Sequence, residues 1–236
     1  MTSKSSGSSE RPPGRTAAIA MSGVTKAFDD TPAVTDVEFS IYPGEVVLLV
    51  GHNGSGKTTL LRIISGLAKA DRGSILIYGA KPGSLDARSV LSVAFDTPAL
   101  YDDLTTFEHL KFSATLSLAD DAEQRANRLL EVFGLASVAD RFPATFSRGM
   151  KQKVSLGMAF ARPHKVMMID EPFVGLDQSG KLALVNLISE EARKGVAFLV
   201  ASHSTDLVEV ASRSIAISSG EIVFDGDPVK GRDYLS

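Results

Sequence analysis

The chain has 236 residues, 44% of them hydrophobic, and its 25 basic and 28 acidic side chains leave a formal net charge of −3. That length and composition suit one large α/β domain, or a core with one subdomain, around a sizeable interior. The near balance of charge speaks against nucleic acid held by bulk charge, the lack of cysteine excludes disulfides and thiol chemistry, and no apolar run approaches the ~18 residues of a membrane-spanning helix.

Residues 1–16 are rich in Ser, Gly, Pro and charge and read as a disordered tail. From Thr16 to Gly44 the pattern is mostly strand, with Val34, Val37, Phe39 and Ile41 on the apolar side of a half-buried antiparallel strand and Pro43-Gly44 as a turn. Phe28 is expected on a loop, either as a packing residue or as an aromatic that stacks on a base.

Val46–Val50 is an unbroken apolar run, followed at once by Gly51-His52-Asn53-Gly54-Ser55-Gly56-Lys57-Thr58-Thr59. Leu60, Leu61, Ile63, Ile64 and Leu67 then recur at helical spacing. Buried strand, glycine-rich turn and amphipathic helix form the setting of a phosphate-binding loop, and Gly51, Gly56, Lys57 and Thr58 fit G-x-x-x-x-G-K-[ST]. Glycines let backbone N–H groups converge on phosphate oxygens, and the helix start adds its positive dipole end. Lys57 reaches the β- and γ-phosphates in such a site, and the Thr58 hydroxyl ligates Mg²⁺. The alternative is a glycine-rich turn with a fortuitous lysine; the strand before and helix after disfavour it.

Asp71-Arg72-Gly73 is a turn and Ser74–Tyr78 alternates like a further strand, completing a small antiparallel sheet beside the nucleotide core. Val90–Phe95 reads as one more core strand. Thr106–Leu116 and Asp121–Phe133 carry helical periodicity, the second capped by Asp120 or Asp121 and closed by Gly134. Together with the run opened by Phe146-Ser147-Arg148-Gly149-Met150 they make a helical insertion over about 97–160. Ser147 suits an N-cap, and the site is either just a capped helix or an anion site at a helix N-terminus.

Val166–Ile169 is a second continuous apolar run, and it ends on Asp170-Glu171-Pro172. Adjacent carboxylates at the exit of a buried strand are costly unless paired or metal-bound. Asp170 is placed to hold Mg²⁺ and Glu171 to act as general base on a water. Gln178–Lys194 is helical, and a third apolar run, Val196–Val200, leads to Ser202-His203. Three such runs separated by helices imply a mainly parallel sheet covered on both faces, with His203 at the same edge as Asp170 and the phosphate loop. Ile215–Ile217 and Ile222–Phe224 read as two short strands.

This ordered set resembles the ATP-binding subunit of ABC transporters over essentially all of residues 17–227. Gly51–Thr59 is similar to Walker A, and Val166–Glu171 to Walker B with its catalytic glutamate. Phe146–Met150, followed by Lys151-Gln152, resembles the signature usually written LSGGQ, in wording familiar from exporter-type branches. Val174–Asp177 fits the D-loop, Ser202-His203 the switch histidine, and Phe28 the aromatic that stacks on adenine. The signature is the specific part, because phosphate loops occur in many unrelated ATPases and GTPases.

The resemblance implies a P-loop α/β core with antiparallel β and helical subdomains over residues 17–236. It also implies an ATPase using ATP and Mg²⁺. Two domains, identical or related, would pair head to tail, so that Ser147 and Gly149 act on the partner's γ-phosphate and Asp177 crosses the seam. Glu171, His203 and Lys57 would be catalytic. Closure would drive separate transmembrane permease subunits from the cytoplasmic face of the membrane, and no nucleic acid is expected. The alternative is an ABC-type ATP switch that remodels a partner without transport. Two positions depart from the pattern: Arg148 stands where the family's first signature glycine would be, and Asp96 where a glutamine would touch Mg²⁺ and the attacking water. Asp96 is an oxygen ligand too, but a shorter and charged one.

Overall fold

The computed structural model describes residues 15–234. Apart from Arg15 and Thr16, the tail expected over 1–16 lies outside the described residues.

The chain begins with β1 (Ile19–Phe28) and β2 (Thr31–Ile41), joined by a tight turn at Asp29-Asp30 in which both residues have positive φ. After β3 (Val46–Val50) and α1 (Lys57–Ile64), β4 (Arg72–Ile77) pairs antiparallel with the other edge of β1, giving a three-stranded sheet in the order β2-β1-β4. A short helix α2 (Leu85–Val90), capped by the Ser84 side chain, leads into β5 (Leu91–Ala94). Three helices follow: α3 (Thr106–Leu116), α4 (Ala122–Val132) and α5 (Arg148–Ala161). Then come β6 (Val166–Asp170), α6 (Gln178–Arg193), β7 (Ala197–Ala201), β8 (Arg213–Ser218) and β9 (Glu221–Gly226).

The second sheet has six strands in the order β5-β6-β7-β3-β8-β9; all neighbours are parallel except β8 and β9. Every residue of β3, β6 and β7 is buried. These are the three continuous apolar runs, and their side chains alternate between two cores. Leu48, Val50, Ile169, Phe198 and Val200 pack under α3–α6, whereas Val47, Leu49, Met168 and Leu199 pack under α1 and the three-stranded sheet. Burial on both faces is the reason these strands show no polar alternation.

Four expectations need correction. Arg72 and Gly73, expected in a turn, are the first two residues of β4. Helix α1 stops at Ile64, and Leu67 lies beyond it, exposed. Gly66 breaks the helix at φ 80°, where a Cβ would lie 2.5 Å from Gly83 N. Asp121 occupies the N-cap position of α4, yet its carboxylate accepts no backbone N–H there and pairs with Arg125 one turn on. Phe28 is the last residue of β1 rather than a loop residue.

The helical layer is fastened to itself by Leu110 of α3, fully buried against α5, where Gly157 leaves it room. Leu110→Ala is expected to cost about 2–5 kcal/mol. It should lower the urea midpoint correspondingly; a midpoint within error of the parent's would contradict this packing.

Candidate functional site

The parallel register sets the exits of three strands side by side, with Ala201 opposite both Leu49 and Asp170. The loop leaving β3 depends on glycine at two points. Gly51 has φ 147° and Gly56 φ 111°; a Cβ would meet Ile217 O at 2.2 Å from the first and Ala33 O at 2.4 Å from the second. Neither position admits a side chain without moving backbone. The loop is also held from behind, since Gly220 N–H donates to Ser55 O at 2.9 Å. Lys57, the first residue of α1, is 6% exposed and its Nζ donates to Gly51 O at 2.6 Å and His52 O at 3.2 Å. The His52 ring turns to its own chain, with Nδ1 donating to Asn53 O at 2.8 Å. What remains open is the row of free N–H groups at the start of α1, an anion-binding arrangement.

Thr58 Oγ1 donates to Asp170 Oδ2 at 2.7 Å, tying the first turn of α1 to the end of β6. Asp170 is 2% exposed, and burial pushes its carboxyl up despite the Thr58 hydrogen bond. Its Oδ1 has no partner among the described residues. Glu171 follows in a left-handed conformation, φ 45°, uncommon for a residue with a side chain and a frequent mark of functional strand exits. Its N–H donates to Ala201 O at 2.8 Å, while Oε2 lies 2.8 Å from His203 Nδ1 and accepts from His203 N–H at 3.3 Å.

Asn53, Gly54, Ser55, Gly56, Lys57, Thr58 and Thr59 line one cavity of about 290 Å³ with Ala33, Asp96, Asp170 and Glu171. A neighbouring cavity of about 310 Å³ holds His203, Ser202 and Lys181, and Glu171 belongs to both. Among the described residues no three His, Cys, Asp or Glu side chains form a self-contained metal site. The unpartnered Oδ1 of Asp170, the Thr58 hydroxyl and Asp96 instead suit a hard cation that takes its other ligands from phosphate and water.

Seven anticipated residues are absent from this lining: Gly51 and His52 at the base of the loop, His203 in the neighbouring cavity, and four further away. Phe28 is half exposed with Lys26 Nζ 5.2 Å from its ring centre, so it is not a core packing residue. Ser147 caps α5, its hydroxyl accepting from Met150 N–H at 3.3 Å. Gly149 touches the loop before α6 so closely that a Cβ would lie 2.1 Å from Gly175 O. Asp177 caps α6 through Gly180 N–H at 3.0 Å and meets Lys153 Nζ at 2.8 Å; the lysine holds its carboxyl down to about 2. Two participants were not anticipated. Ala33, from β2, lines the cavity and carries no sequence signal. Arg148 reaches Asp96 at 3.4 Å, a contact between segments 52 positions apart.

Comparison with known proteins gives a consistent result. The family profile described as ABC transporter matches residues 34–174. The chain is 36% identical over 205 residues, 86% of either chain, to the SkfA peptide export ATP-binding protein SkfE of Bacillus subtilis. A solved structure described as the ATP-binding subunit of an ABC transporter superposes with a TM-score of 0.84 at 32% identity, covering 89% of this chain and 90% of that one. The dimeric structure of MJ0796, a bacterial ABC transporter cassette, shares the fold with a TM-score of 0.82 at 24% identity over 89% of this chain and 98% of its own.

Because the folded pKa of Asp170 lies above its unfolded value near 3.8, ionising it opposes folding. That penalty is absent below the unfolded value and complete above the raised folded one. Asp170→Asn keeps the acceptor for Thr58 and is expected to raise the melting temperature of the nucleotide-free protein at pH 7. The gain should shrink as the pH falls towards 4. An unchanged or lower melting temperature at pH 7 would sink this account.

Proposed function

From the premise that the chain belongs to the ABC transporter family, as an ATP-binding subunit with ATPase activity, we propose that its cavity is one half of an ATP site completed by a second cassette. One observation carries this reading: the phosphate loop, Thr58, Asp170 and Glu171 share a cavity, while Ser147 and Gly149 stand outside it at the start of a different helix. A helix N-terminus capped by serine and pressed close to the next loop is a surface built to meet an anion, and in this reading that anion is the partner's γ-phosphate. The dimeric state of the MJ0796 cassette supports the pairing.

Within the half-site the proposed roles are these. Lys57 and the N–H groups from Gly51 to Thr59 hold the β- and γ-phosphates. Thr58 and Asp170, with Asp96 at the rim, hold Mg²⁺, which when bound neutralises charge on those phosphates. Glu171 takes the proton of the attacking water, and His203 holds its carboxylate in place while facing the γ-phosphate. Phe28, exposed at the end of β1, stacks on adenine, and Asp177 lies at the seam.

Among the described residues no helix is long and apolar enough to cross a membrane. In the proposed reading, coupling to transport runs through separate permease subunits, with this subunit on their cytoplasmic side. Co-purification with a polytopic protein from native membranes separates this reading from an ATP switch without transport.

Glu171→Gln is expected to lower steady ATP hydrolysis about a hundred-fold or more while ATP binding survives; turnover near the parent's would remove Glu171 from the role of base. Specific activity should also rise with protein concentration until dimers saturate, and strictly proportional activity from a proven monomer contradicts a shared site.

A further inference from the structure

We propose that Arg148 and Asp96 form a coupled charge pair at the lip of the chain's own nucleotide cavity, in which Arg148 is a positioning residue that neutralises Asp96 and turns it to the cavity rim. The proposal rests on reading that cavity as the ATP site.

Asp96 lines the cavity together with Asp170 and Glu171, so three carboxylates face a ligand that is itself polyanionic. Lys57 Nζ meets the carbonyls of Gly51 and His52 and none of the three carboxylates. Among the described residues the cation that meets Asp96 is Arg148, Nη2 to Oδ1 at 3.4 Å. Uncompensated, a unit charge a few ångströms from the phosphates opposes their binding substantially, even at the effective dielectric of a protein surface.

The position of Arg148 points the same way. It is the first residue of α5, whose first turn holds no acid, so its charge sits at the positive end of a helix dipole, where a cation is disfavoured. A local conflict of this kind calls for a compensating contact, and Asp96 supplies it. The arm is guided there: its Cγ and Cδ run along Gly175, where a Cβ would come within 3.5 Å and 3.7 Å of them. With side-chain exposures of 66% and 45%, the pair does little for stability. Its effect falls on what binds beside it. The two departures from the family pattern thus cancel in charge and touch in space.

The test is a double-variant cycle read by MgATP affinity and by the split of KM from kcat, at a protein concentration that keeps the chain monomeric during the binding measurement. Binding by the parent, and its loss in Lys57→Ala, are established first. No binding by the parent overturns the ATP reading itself. Given binding, Arg148→Ala should weaken MgATP about five-fold, with KM moving more than kcat. Asp96→Asn in the Arg148→Ala background removes the repulsion together with a charged Mg²⁺ contact, and should recover part of the lost affinity; Arg148→Lys should retain most of the parent's affinity. If Arg148→Ala is neutral, or its effect and that of Asp96→Asn simply add, the pair is not coupled and the proposal falls. If Arg148→Ala impairs hydrolysis only at concentrations that support dimers, with no rescue by Asp96→Asn, Arg148 acts across the seam and the proposal likewise falls.

Discussion

The central parallel ladder, β6-β7-β3, is the constraint on which the rest depends. Its strands are buried on both faces, so every side chain along them is apolar until the chain leaves the sheet. Polar chemistry is thereby displaced to the exits, and the pairing of Leu49, Ala201 and Asp170 across the strands sets those exits abreast. The phosphate loop, the two carboxylates and His203 come within reach of one another because the ladder has no other place for them. Asp170 is the exception that proves costly: it is the one charged residue held inside a central strand, and the Thr58 hydroxyl satisfies only half of its carboxylate.

Features encoded by contiguous residues were legible in the sequence. The continuous apolar runs announced the buried strands, and the glycine spacing announced the loop, because each is a local response to burial or to backbone crowding. The carboxylates at Asp170 and Glu171 were legible for the same reason: two charges at the end of a buried strand are costly without a partner. The left-handed turn at Glu171, by contrast, has no glycine to signal it. Asp121 looked like a cap, but Arg125 at the next turn competes for its carboxylate. Phe28 looked like a loop residue because the two-residue turn at Asp29-Asp30, with positive φ at both positions, has no glycine or asparagine to mark where β1 ends.

What stayed hidden depended on contacts between distant segments. The approach of Gly149 to Gly175 and the meeting of Arg148 with Asp96 both require knowing how α5 is laid against the sheet. In sequence each shows only as an odd residue or an ordinary glycine. The same close approach means the start of α5 and the loop before α6 cannot move independently, since no side chain separates their backbones. A shift felt at one is felt at the other, and Lys153 with Asp177 adds a second tie between the same two helices.

The lysine of the phosphate loop carries one further consequence. Its ammonium is already bound to two carbonyls of the loop it serves, so the most flexible cation of the site is fixed before any ligand arrives. In the proposed role of Lys57, taking up a phosphate exchanges one set of oxygen partners for another and orders little that was free. The entropic cost of holding the cradle in shape is met during folding, and binding is left with a mostly enthalpic exchange of hydrogen bonds.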